Sequence, residues 1–430
     1  MANSSQRAKP FTIAVVGGGI AGITLAIALH HRNVPVTLYE RAPNFHEIGA
    51  GVSFTPNAVR AMQVCHPGIY DAFDRVCTWN GWESKRKTWF DFLDGVAEQE
   101  GAAFSIKTSL GQNGVHRAHF LDEMTKLLPS DRIQFGKQIE DAKEDASGKI
   151  IMTFSDGSTA SADALIGCDG IRSRVRQLIV GADHPSARPT YSHKYAYRGL
   201  VEMDNAIEAI GEERARNACM HMGPNGHVLT FPVNHGQKLN IVAFRTTSEN
   251  WENERMIRSA HRQEALDNFA GYNSTVTKLL NLTDEELNVW AIFDLGDHPV
   301  PTFYRGRICI SGDAAHATSP HHGAGAGFCI EDSAVMAELL ADQIVQSQQD
   351  IEAAFAVFDA ERRERCQWLV QSSRRIGDCY EWRAEGVEGD VQKIEQEINE
   401  RIGIISNLDT LDACNHARDQ LAGKLVRERL

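Results

Sequence analysis

The 430-residue chain lacks several patterns that mark common protein classes. Its nine cysteines are scattered singly and form no C-x-x-C pair, which argues against a zinc ribbon and against a dithiol redox centre. Dispersed cysteines are typical of reduced thiols, so a cytoplasmic location is expected. The first residues, MANSSQRAKP, lack the basic-then-apolar order of a secretory signal, and we find no low-complexity tract or internal repeat.

Basic charge is also scarce, since the formal net charge is −13. That balance argues against a nucleic-acid-binding protein, whose surface must neutralise phosphates. One short stretch, WNGWESKRKTWFDF at 79–92, mixes aromatic with basic residues as a base-stacking surface would. In an acidic chain it instead predicts strands that line an aromatic pocket and carry polar side chains on their outer face.

The most informative pattern runs over residues 12–40. Small and β-branched residues predict a buried strand, after which Gly17, Gly19 and Gly22 match G-x-G-x-x-G at the start of a helix. In such a unit the first glycine permits a tight turn, the second admits a pyrophosphate, and the third brings helix and strand together. A second strand ends at Glu40, which can accept hydrogen bonds from a ribose, so a dinucleotide-binding site is predicted.

A membrane-spanning helix is the alternative explanation of the same stretch. Residues 11–29 carry no charge and are long enough to cross a bilayer. Gly17 and Gly19 would break such a helix near its start, so we predict a strand–turn–helix unit and no membrane span.

A second glycine-rich segment, GDAAHATSPHHGAGAG, occupies residues 312–327. It follows a buried strand and precedes a helix predicted over about 328–344. The N-terminus of that helix is well placed to hold partial negative charge on a ligand. His316, His321 and His322 raise the question of a metal. No carboxylate set accompanies them and a glycine loop is a poor rigid platform for ligands, so no metal is predicted.

The rest of the chain predicts a second lobe inserted into the dinucleotide-binding lobe. Residues 191–294 alternate apolar with polar side chains, as in an antiparallel sheet with one packed face, and become helical in pattern between 249 and 287. Amphipathic helices are predicted at 351–382 and 391–404. The fold class is therefore α/β, with a Rossmann-like lobe (1–75, 111–185 and 296–345), an inserted mixed-sheet substrate domain (76–110 and 186–295) and C-terminal helices (346–430).

Three separated motifs occur in order: GGGIAG with Glu40, CDGIRSRVR at 168–176, and the segment at 312–327. Together they resemble the motifs of the group A flavoprotein monooxygenases, which are single-component, FAD-dependent aromatic hydroxylases. The resemblance extends to about residue 380. The third motif is most similar to the salicylate hydroxylase branch, in which Pro-His follows Gly-Asp and precedes the glycines. The resemblance implies a FAD-binding lobe of the GR2/PHBH type.

The resemblance also implies a set of FAD contacts. The glycines of the first motif would take the pyrophosphate, Glu40 the adenosine ribose, and Arg117 the ribityl–phosphate region. Asp169 and Gly170 would serve FAD and a transiently bound nicotinamide. Roles as a solvated helix residue for Arg117, and as strand-end turn residues for Asp169 and Asp313, stay open. The implied FAD-contacting residues are Gly17, Gly19, Gly22, Glu40, Arg41, Gly51, Arg117, Asp169, Gly170, Asp313, Gly323, Ala324, Gly325 and Ala326.

Substrate contacts follow from the same resemblance. Arg198 matches a position that points at the acidic group of the substrate, although it could instead pair with a surface carboxylate. Phe231 stands where some relatives carry Tyr, which removes a possible hydrogen bond to a phenol. Pro320 and His321 would lie along the isoalloxazine ring. His321 is expected to titrate near neutral pH and is the candidate to help deprotonate a phenol.

The implied reaction consumes NADH or NADPH and O2, and uses a flavin C4a-hydroperoxide to hydroxylate a phenolic, salicylate- or orsellinate-like acid. The branch favours loss of CO2 and formation of a catechol, while plain hydroxylation and oxidative dearomatisation use the same oxidant. A second G-x-G-x-x-G after a strand is absent, which fits a nicotinamide that docks transiently, and the absent W-x-W-x-I-P argues against a flavin halogenase. A flavin-free NAD-dependent dehydrogenase and a flavin-binding interaction protein are the alternatives. A monomer or homodimer is expected.

Overall fold

The structure is a computed structural model that describes residues 8–45, 51–98 and 101–429. Its strands are β1 (Ile13–Val16), β2 (Val36–Glu40), β3 (Gly51–Val52), β4 (Cys77–Trp79), β5 (Thr88–Asp94), β6 (Phe104–Lys107), β7 (Asn113–His116), β8 (Ile133–Phe135), β9 (Ile139–Glu144), β10 (Ile150–Phe154), β11 (Thr159–Ala162), β12 (Ala164–Gly167), β13 (Thr190–Glu202), β14 (Cys219–Gly223), β15 (Gly226–Val233), β16 (Lys238–Thr246), β17 (Ile257–His261), β18 (Glu286–Asp294), β19 (Tyr304–Arg305) and β20 (Ile308–Ile310). Its helices are α1 (Ile20–His30), α2 (Pro56–Cys65), α3 (Pro67–Val76), α4 (Arg117–Thr125), α5 (Arg174–Val180), α6 (Met203–Ile210), α7 (Glu212–Arg216), α8 (Arg262–Asn268), α9 (Ser274–Asn281), α10 (Asp313–His316), α11 (Gly325–Ala341), α12 (Gln348–Tyr380), α13 (Val391–Ser406) and α14 (Thr410–Arg429).

The predicted strand–turn–helix unit lies at the centre of a six-stranded sheet of order β19–β20–β12–β1–β2–β8. β1 pairs in parallel with β2 and β12, and all its residues are buried. Gly17 has φ +105°, and a Cβ there would lie 2.2 Å from the carbonyl oxygen of Cys168. A Cβ at Gly22 would lie 1.9 Å from the carbonyl oxygen of Gly17. These glycines let α1 pack directly on the ends of β1 and β12, so the strand–turn–helix prediction is confirmed.

The inserted lobe is built on an eight-stranded sheet of order β17–β18–β13–β16–β15–β14–β5–β6. Antiparallel pairing of the long strand β13 with β16 and β18 forms its centre, whereas β5 pairs in parallel with β14. The aromatic stretch near residue 89 contributes β5, a buried strand, as predicted. The helical prediction for 249–287 is only partly right: β17 pairs with β18 there, because an open sheet edge offers that segment backbone hydrogen bonds.

Three helices, α12, α13 and α14, end the described chain. The sequence pattern predicts the first two but not α14, which packs against α11 and α12. Small residues make the apolar stripe of α14 difficult to recognise. Within the described ranges, no helix is long and apolar enough to span a membrane. The buried face of α14 consists of Thr410, Cys414, Ala417, Leu421 and Leu425.

Candidate functional site

Two adjoining cavities form a trench between the two large sheets. The outer cavity, about 960 Å³, begins beside Gly17 and Glu40 at the C-terminal ends of β1 and β2. The inner cavity, about 450 Å³, extends from the N-termini of α1 and α11 to the aromatic face of the inserted lobe. The trench is continuous, because both cavities are lined by Gly19, Arg117, Cys168, Gly170, Arg198, Trp290, Asp313, Thr318 and Pro320.

Two helix N-termini open onto this trench without side-chain caps. The N-cap of α1 is Gly19 and that of α11 is Ala324, and neither helix has an acidic residue in its first turn. The first residues of α1, together with Gly325 and Ala326 of α11, border the inner cavity. Uncapped N–H groups and the helix dipoles favour negative charge at both points, so the trench fits FAD with its pyrophosphate at α1 and its ring system at α11.

Arg117 adds positive charge to the first of these N-termini. It is the first residue of α4, and a Cβ at Gly19 would lie 3.4 Å from its Nη2 atom. A guanidinium so close to α1 would favour the same phosphates as the helix dipole. The phosphate contact of Arg117 stays a prediction, but its position at the junction of the two cavities agrees with it.

The end of β2 fixes an acidic group in the outer cavity. The Glu40 carboxylate accepts hydrogen bonds from the backbone N–H groups of Gly18, at 2.5 Å, and Ala42, at 2.7 Å. Arg41 is exposed on the rim of the same cavity. A carboxylate can accept further hydrogen bonds, so this geometry is compatible with the predicted contact between Glu40 and a ribose.

Asp169 and Asp313 differ in what their side chains do. The Asp169 carboxylate accepts hydrogen bonds from Ser173 Oγ at 2.5 Å and from the N–H groups of Arg174 and Val175, so it holds the start of α5. The side chain of Asp169 therefore acts as a turn residue at the end of a strand. The next residue, Gly170, has φ +80° and borders both cavities. Asp313 is exposed and also borders both cavities, as a residue that contacts a cofactor should.

A buried carboxylate anchors the second glycine-rich loop. Asp332 of α11 accepts hydrogen bonds from Gly312 N–H at 3.0 Å, from Arg362 Nε at 2.8 Å and, at 2.7 Å, from His316 Nε2. Burial opposes ionisation, but His316 and Arg362 hold the pKa of Asp332 below its usual value. His316, Asp332 and Cys366 lie close enough to hold a metal ion, yet Arg362 already supplies the opposing charge. His321 and His322 lie elsewhere, so the three histidines do not converge.

Replacing this carboxylate should destabilise the protein strongly. We expect Asp332→Asn to lower the free energy of unfolding by about 3–5 kcal/mol, because the buried His316 loses its ionised partner and the buried Arg362 loses one of its two, keeping only Glu331. Asp141→Asn is the control: its ion pair with Lys143 lies at the surface, and such pairs contribute at most about 1 kcal/mol. Urea unfolding measures both.

The pH dependence of the same measurement tests the cause. The pKa of Asp332 is lowered in the folded state, so its contribution is present near neutral pH and is lost as the pH falls through that lowered pKa. The difference between the wild type and Asp332→Asn should shrink accordingly in acid. A difference that is small, or that does not change with pH, would contradict an ionised Asp332.

Arg198 projects from β13 into the junction of the two cavities. Its guanidinium lies 4.8 Å from the ring centroid of Trp290. Burial, together with the nearby charge of Arg117, lowers the pKa of Arg198 to about 10, so the side chain stays positively charged at neutral pH. No carboxylate in the described ranges pairs with Arg198, and its Nε has no hydrogen-bond partner there, so the surface ion pair is not formed. The guanidinium is a fixed cation at the entrance to the inner cavity.

Phe231 belongs to the aromatic wall of the inner cavity and is buried. A Cβ at Gly51 would lie 2.8 Å from its ring, so the missing side chain of Gly51 makes room for it. The described lining there is mostly apolar and excludes water from the place where a ring system would lie against α11. The other apolar side chains of this wall are Trp89, Phe90, Met220, Leu229, Val242, Phe244 and Tyr380.

His321 lies in a single 3₁₀ turn, Pro320–His322, beside the inner cavity. A Cβ at Gly377 of α12 would lie 2.5 Å from its ring, so that glycine makes room for the imidazole. The expectation that His321 titrates near neutral pH is wrong. Burial, reinforced by the neighbouring His227 and by the positive charge of Lys194, holds its pKa well below the usual value. His321 is therefore a neutral imidazole that can accept or donate a hydrogen bond.

Several cavity residues are absent from the sequence prediction. Trp290, from β18, supports Arg198, and Phe244, from β16, lies 5.0 Å from His321 between ring centroids. Tyr380, which is the last residue of α12, also lines the cavity. The alternation of side chains along β16 and β18 could have placed Phe244 and Trp290 on one face of a sheet. No sequence pattern shows which face meets the trench.

Fold and site together define a class of enzyme, the FAD-dependent oxidoreductases in which the flavin trench leads into an aromatic cavity. The chain belongs to the family described as FAD binding domain, which matches residues 11–373. It is a FAD-dependent monooxygenase of the salicylate hydroxylase family, and FAD is its cofactor. The flavin-free dehydrogenase and the flavoprotein without turnover are excluded.

Relatives match nearly the whole chain. The FAD-dependent monooxygenase pigN of Monascus ruber is 45% identical over 425 residues, which cover 96% of this chain and 97% of that protein. Salicylate hydroxylase asL1 of Sarocladium schorii is 37% identical over 447 residues, which cover 98% of this chain and 93% of that protein. A solved salicylate hydroxylase substrate complex is 34% identical with a TM-score of 0.85, and the match covers 95% of this chain and 98% of that one. These matches confirm the fold class and the resemblance drawn from the three motifs.

Proposed function

We propose that the enzyme uses NADH or NADPH and O2 to hydroxylate a phenolic aromatic acid of the salicylate or orsellinate kind, with loss of CO2 and formation of a catechol. The observation that carries the proposal is the fixed guanidinium of Arg198 at the mouth of an aromatic cavity. An apolar wall suits a benzene ring, and a cation that no carboxylate of the described residues neutralises suits the carboxylate or phenolate of that ring. The names of asL1 and of the solved salicylate hydroxylase complex point to the same substrate class.

Bound FAD would supply the oxidising chemistry, since flavin reduced by NAD(P)H activates O2, which is the source of the oxygen atom. The chain's own residues orient the substrate and control its proton. Arg198 binds the anionic group through paired N–H donors, while stacking on Trp290 fixes the plane of the guanidinium. His321, as a neutral imidazole, accepts the hydrogen bond of the phenol and so favours the more nucleophilic phenolate. Phe231 and the other wall residues keep water away from the reacting carbon.

A matched set of ring compounds tests the substrate class. We expect the FAD-loaded enzyme to oxidise NADH or NADPH faster with salicylate than with phenol, which lacks the carboxylate. 2-Methoxybenzoate, which keeps the carboxylate but has no ionisable phenol, should not be turned over. The measurement is the initial rate of NAD(P)H oxidation together with the mass of the product. Equal stimulation by all three compounds would show that neither substrate group is recognised.

The identity of the product distinguishes decarboxylative hydroxylation, plain hydroxylation and oxidative dearomatisation, which all use the same oxidant. Decarboxylative hydroxylation exchanges CO2 for one oxygen atom, whereas plain hydroxylation adds an oxygen atom and keeps the carboxylate. Oxidative dearomatisation also adds an oxygen atom but removes the aromatic absorption of the ring. Phe231 favours none of these by a hydrogen bond of its own, since phenylalanine has no hydroxyl group. Product analysis therefore decides among the three reactions.

A further inference from the structure

A buried charged cluster adjoins the inner cavity beside His321. Glu381, directly after α12, is fully buried. Its carboxylate accepts hydrogen bonds from the ammonium group of Lys194 and from the hydroxyl of Thr246. Oε1 of Glu381 lies 3.2 Å from Nδ1 of His227, which is also fully buried. Burying this many charged and polar groups costs desolvation free energy, so we expect the cluster to have a function.

The cluster reaches the inner cavity through two imidazoles. The rings of His227 and His321 are in edge contact, with centroids 5.2 Å apart, and His321 borders the cavity. Both ring nitrogens of His321 are buried and have no hydrogen-bond partner within residues 8–45, 51–98 and 101–429. A buried imidazole with two unsatisfied nitrogens is poised to exchange a proton with a ligand on one side and with a neighbour on the other.

The other end of the cluster opens onto a different cavity. This rear cavity, of about 440 Å³, is polar and is lined by Thr246 and Thr247 of the inserted lobe. Thr246 is thus the link between the rear cavity and the cluster: its hydroxyl donates to Glu381 and accepts from Lys194 at 2.9 Å. The series His321, His227, Glu381 and Thr246 therefore runs through close contacts from the inner cavity to the rear cavity, and within it the hydrogen bond from Thr246 to Glu381 is already formed, whereas the ring nitrogens of both imidazoles have no hydrogen-bond partner among the described residues.

We propose that this series is a proton outlet, which carries the phenolic proton of the bound substrate away from the inner cavity into the rear cavity. The inference rests on the proposed function, because it needs a phenol beside His321. The O–H bond of the phenol breaks as an N–H bond forms on His321. That proton passes to His227 as the imidazoles reorient, then to the Glu381 carboxylate, and leaves through the Thr246 hydroxyl to water. No electron moves, and the only product is a proton in solution.

The charges around His321, His227 and Glu381 allow these side chains to carry a proton briefly. Burial lowers the pKa of both His227 and His321, so both imidazoles are neutral at rest and pick up a proton only in passing. Burial opposes ionisation of Glu381, but Lys194 and His227 outweigh it and hold the pKa of Glu381 below its usual value. The carboxylate is therefore an empty acceptor. Other polar side chains near the series belong to Asp378, which pairs with Lys194 at 2.9 Å, and to Tyr380 and His322.

Proton release on substrate binding tests the outlet. The probe is 5-nitrosalicylate, a phenolic acid whose phenolate has a distinct visible absorption band, mixed with oxidised FAD-loaded enzyme in weakly buffered solution that contains a pH indicator dye. We expect Thr246→Val and His227→Gln to slow proton release at least about 100-fold, as expected for loss of a group that transfers protons. The equilibrium affinity for 5-nitrosalicylate and the amount of bound flavin should stay as in the wild type.

Two matched variants separate proton transfer from loss of packing. Thr246→Ser keeps the hydroxyl and should release protons at the wild-type rate. Thr247→Val alters a neighbouring threonine that lines the same rear cavity without contacting Glu381, and it should also have no effect. Wild-type release rates in both Thr246→Val and His227→Gln, or equal slowing by Thr247→Val, would overturn the outlet alone. Failure of the wild-type enzyme to bind 5-nitrosalicylate as the phenolate would overturn the proposed function together with it.

Discussion

Arg198→Leu should abolish tight binding of the phenolic acid while the enzyme keeps its FAD. Removing one partner of a desolvated charge pair costs about 2–5 kcal/mol. The substrate dissociation constant should therefore rise by roughly 30-fold to several thousand-fold. The flavin should stay bound, because the uncapped N-termini of α1 and α11, not Arg198, are the features expected to hold it. Titration of the oxidised enzyme with salicylate, followed by the flavin absorption spectrum, measures both quantities.

Two further substitutions make this result specific to Arg198. Arg255→Leu removes an exposed arginine on the rim of the outer cavity and should leave salicylate affinity unchanged. Arg198→Lys keeps the charge but loses the planar stacking on Trp290, so we expect an intermediate affinity. If Arg198→Leu bound salicylate as the wild type does, the substrate anion would have to be recognised elsewhere in the cavity.

Gly22→Ala should destroy the FAD site. The added Cβ would lie 1.9 Å from the carbonyl oxygen of Gly17, and neither backbone can move without separating α1 from β1. We expect the free energy of unfolding to fall by at least about 3 kcal/mol, the upper part of the range for overpacking. The purified protein should be colourless, since the helix N-terminus no longer meets the pyrophosphate. Flavin absorbance per protein and urea unfolding provide the measurements.

Gly423→Ala is the same chemical change in a different helix. Apart from the backbone of its own helix and its chain neighbours, no atom of the described residues would lie within 4 Å of a Cβ added at Gly423, in the interior of α14. Alanine should therefore stabilise the helix by about 0.8–1 kcal/mol relative to glycine, with normal flavin content. Equal behaviour of Gly22→Ala and Gly423→Ala would mean that close packing of α1 on the first glycine turn does not support the FAD site.

Local patterns account for most of what the sequence predicts correctly. The spacing of Gly17, Gly19 and Gly22 belongs to one strand–turn–helix unit, and the second glycine loop ends in one helix, so neighbouring residues are enough to recognise both. The prediction for β17 fails because edge pairing with β18, a contact between distant segments, outweighs the local helical pattern. The neutral pH titration expected for His321 fails for a similar reason, since burial by distant segments lowers its pKa.

By itself the sequence determines a dinucleotide-binding unit, because the glycine spacing and the acid at Glu40 belong to one local strand–turn–helix segment, and the three motifs together indicate the flavin monooxygenase class. Only the tertiary structure decides the chemistry around the substrate. It places Arg198 on Trp290, leaves His321 neutral, and brings Lys194 to Glu381 across 187 residues of chain. Such contacts join segments far apart in sequence, and their burial and charge follow from how sheets and helices pack. Periodicity reports which side of an element is apolar, but it carries no information about which other element that side will meet.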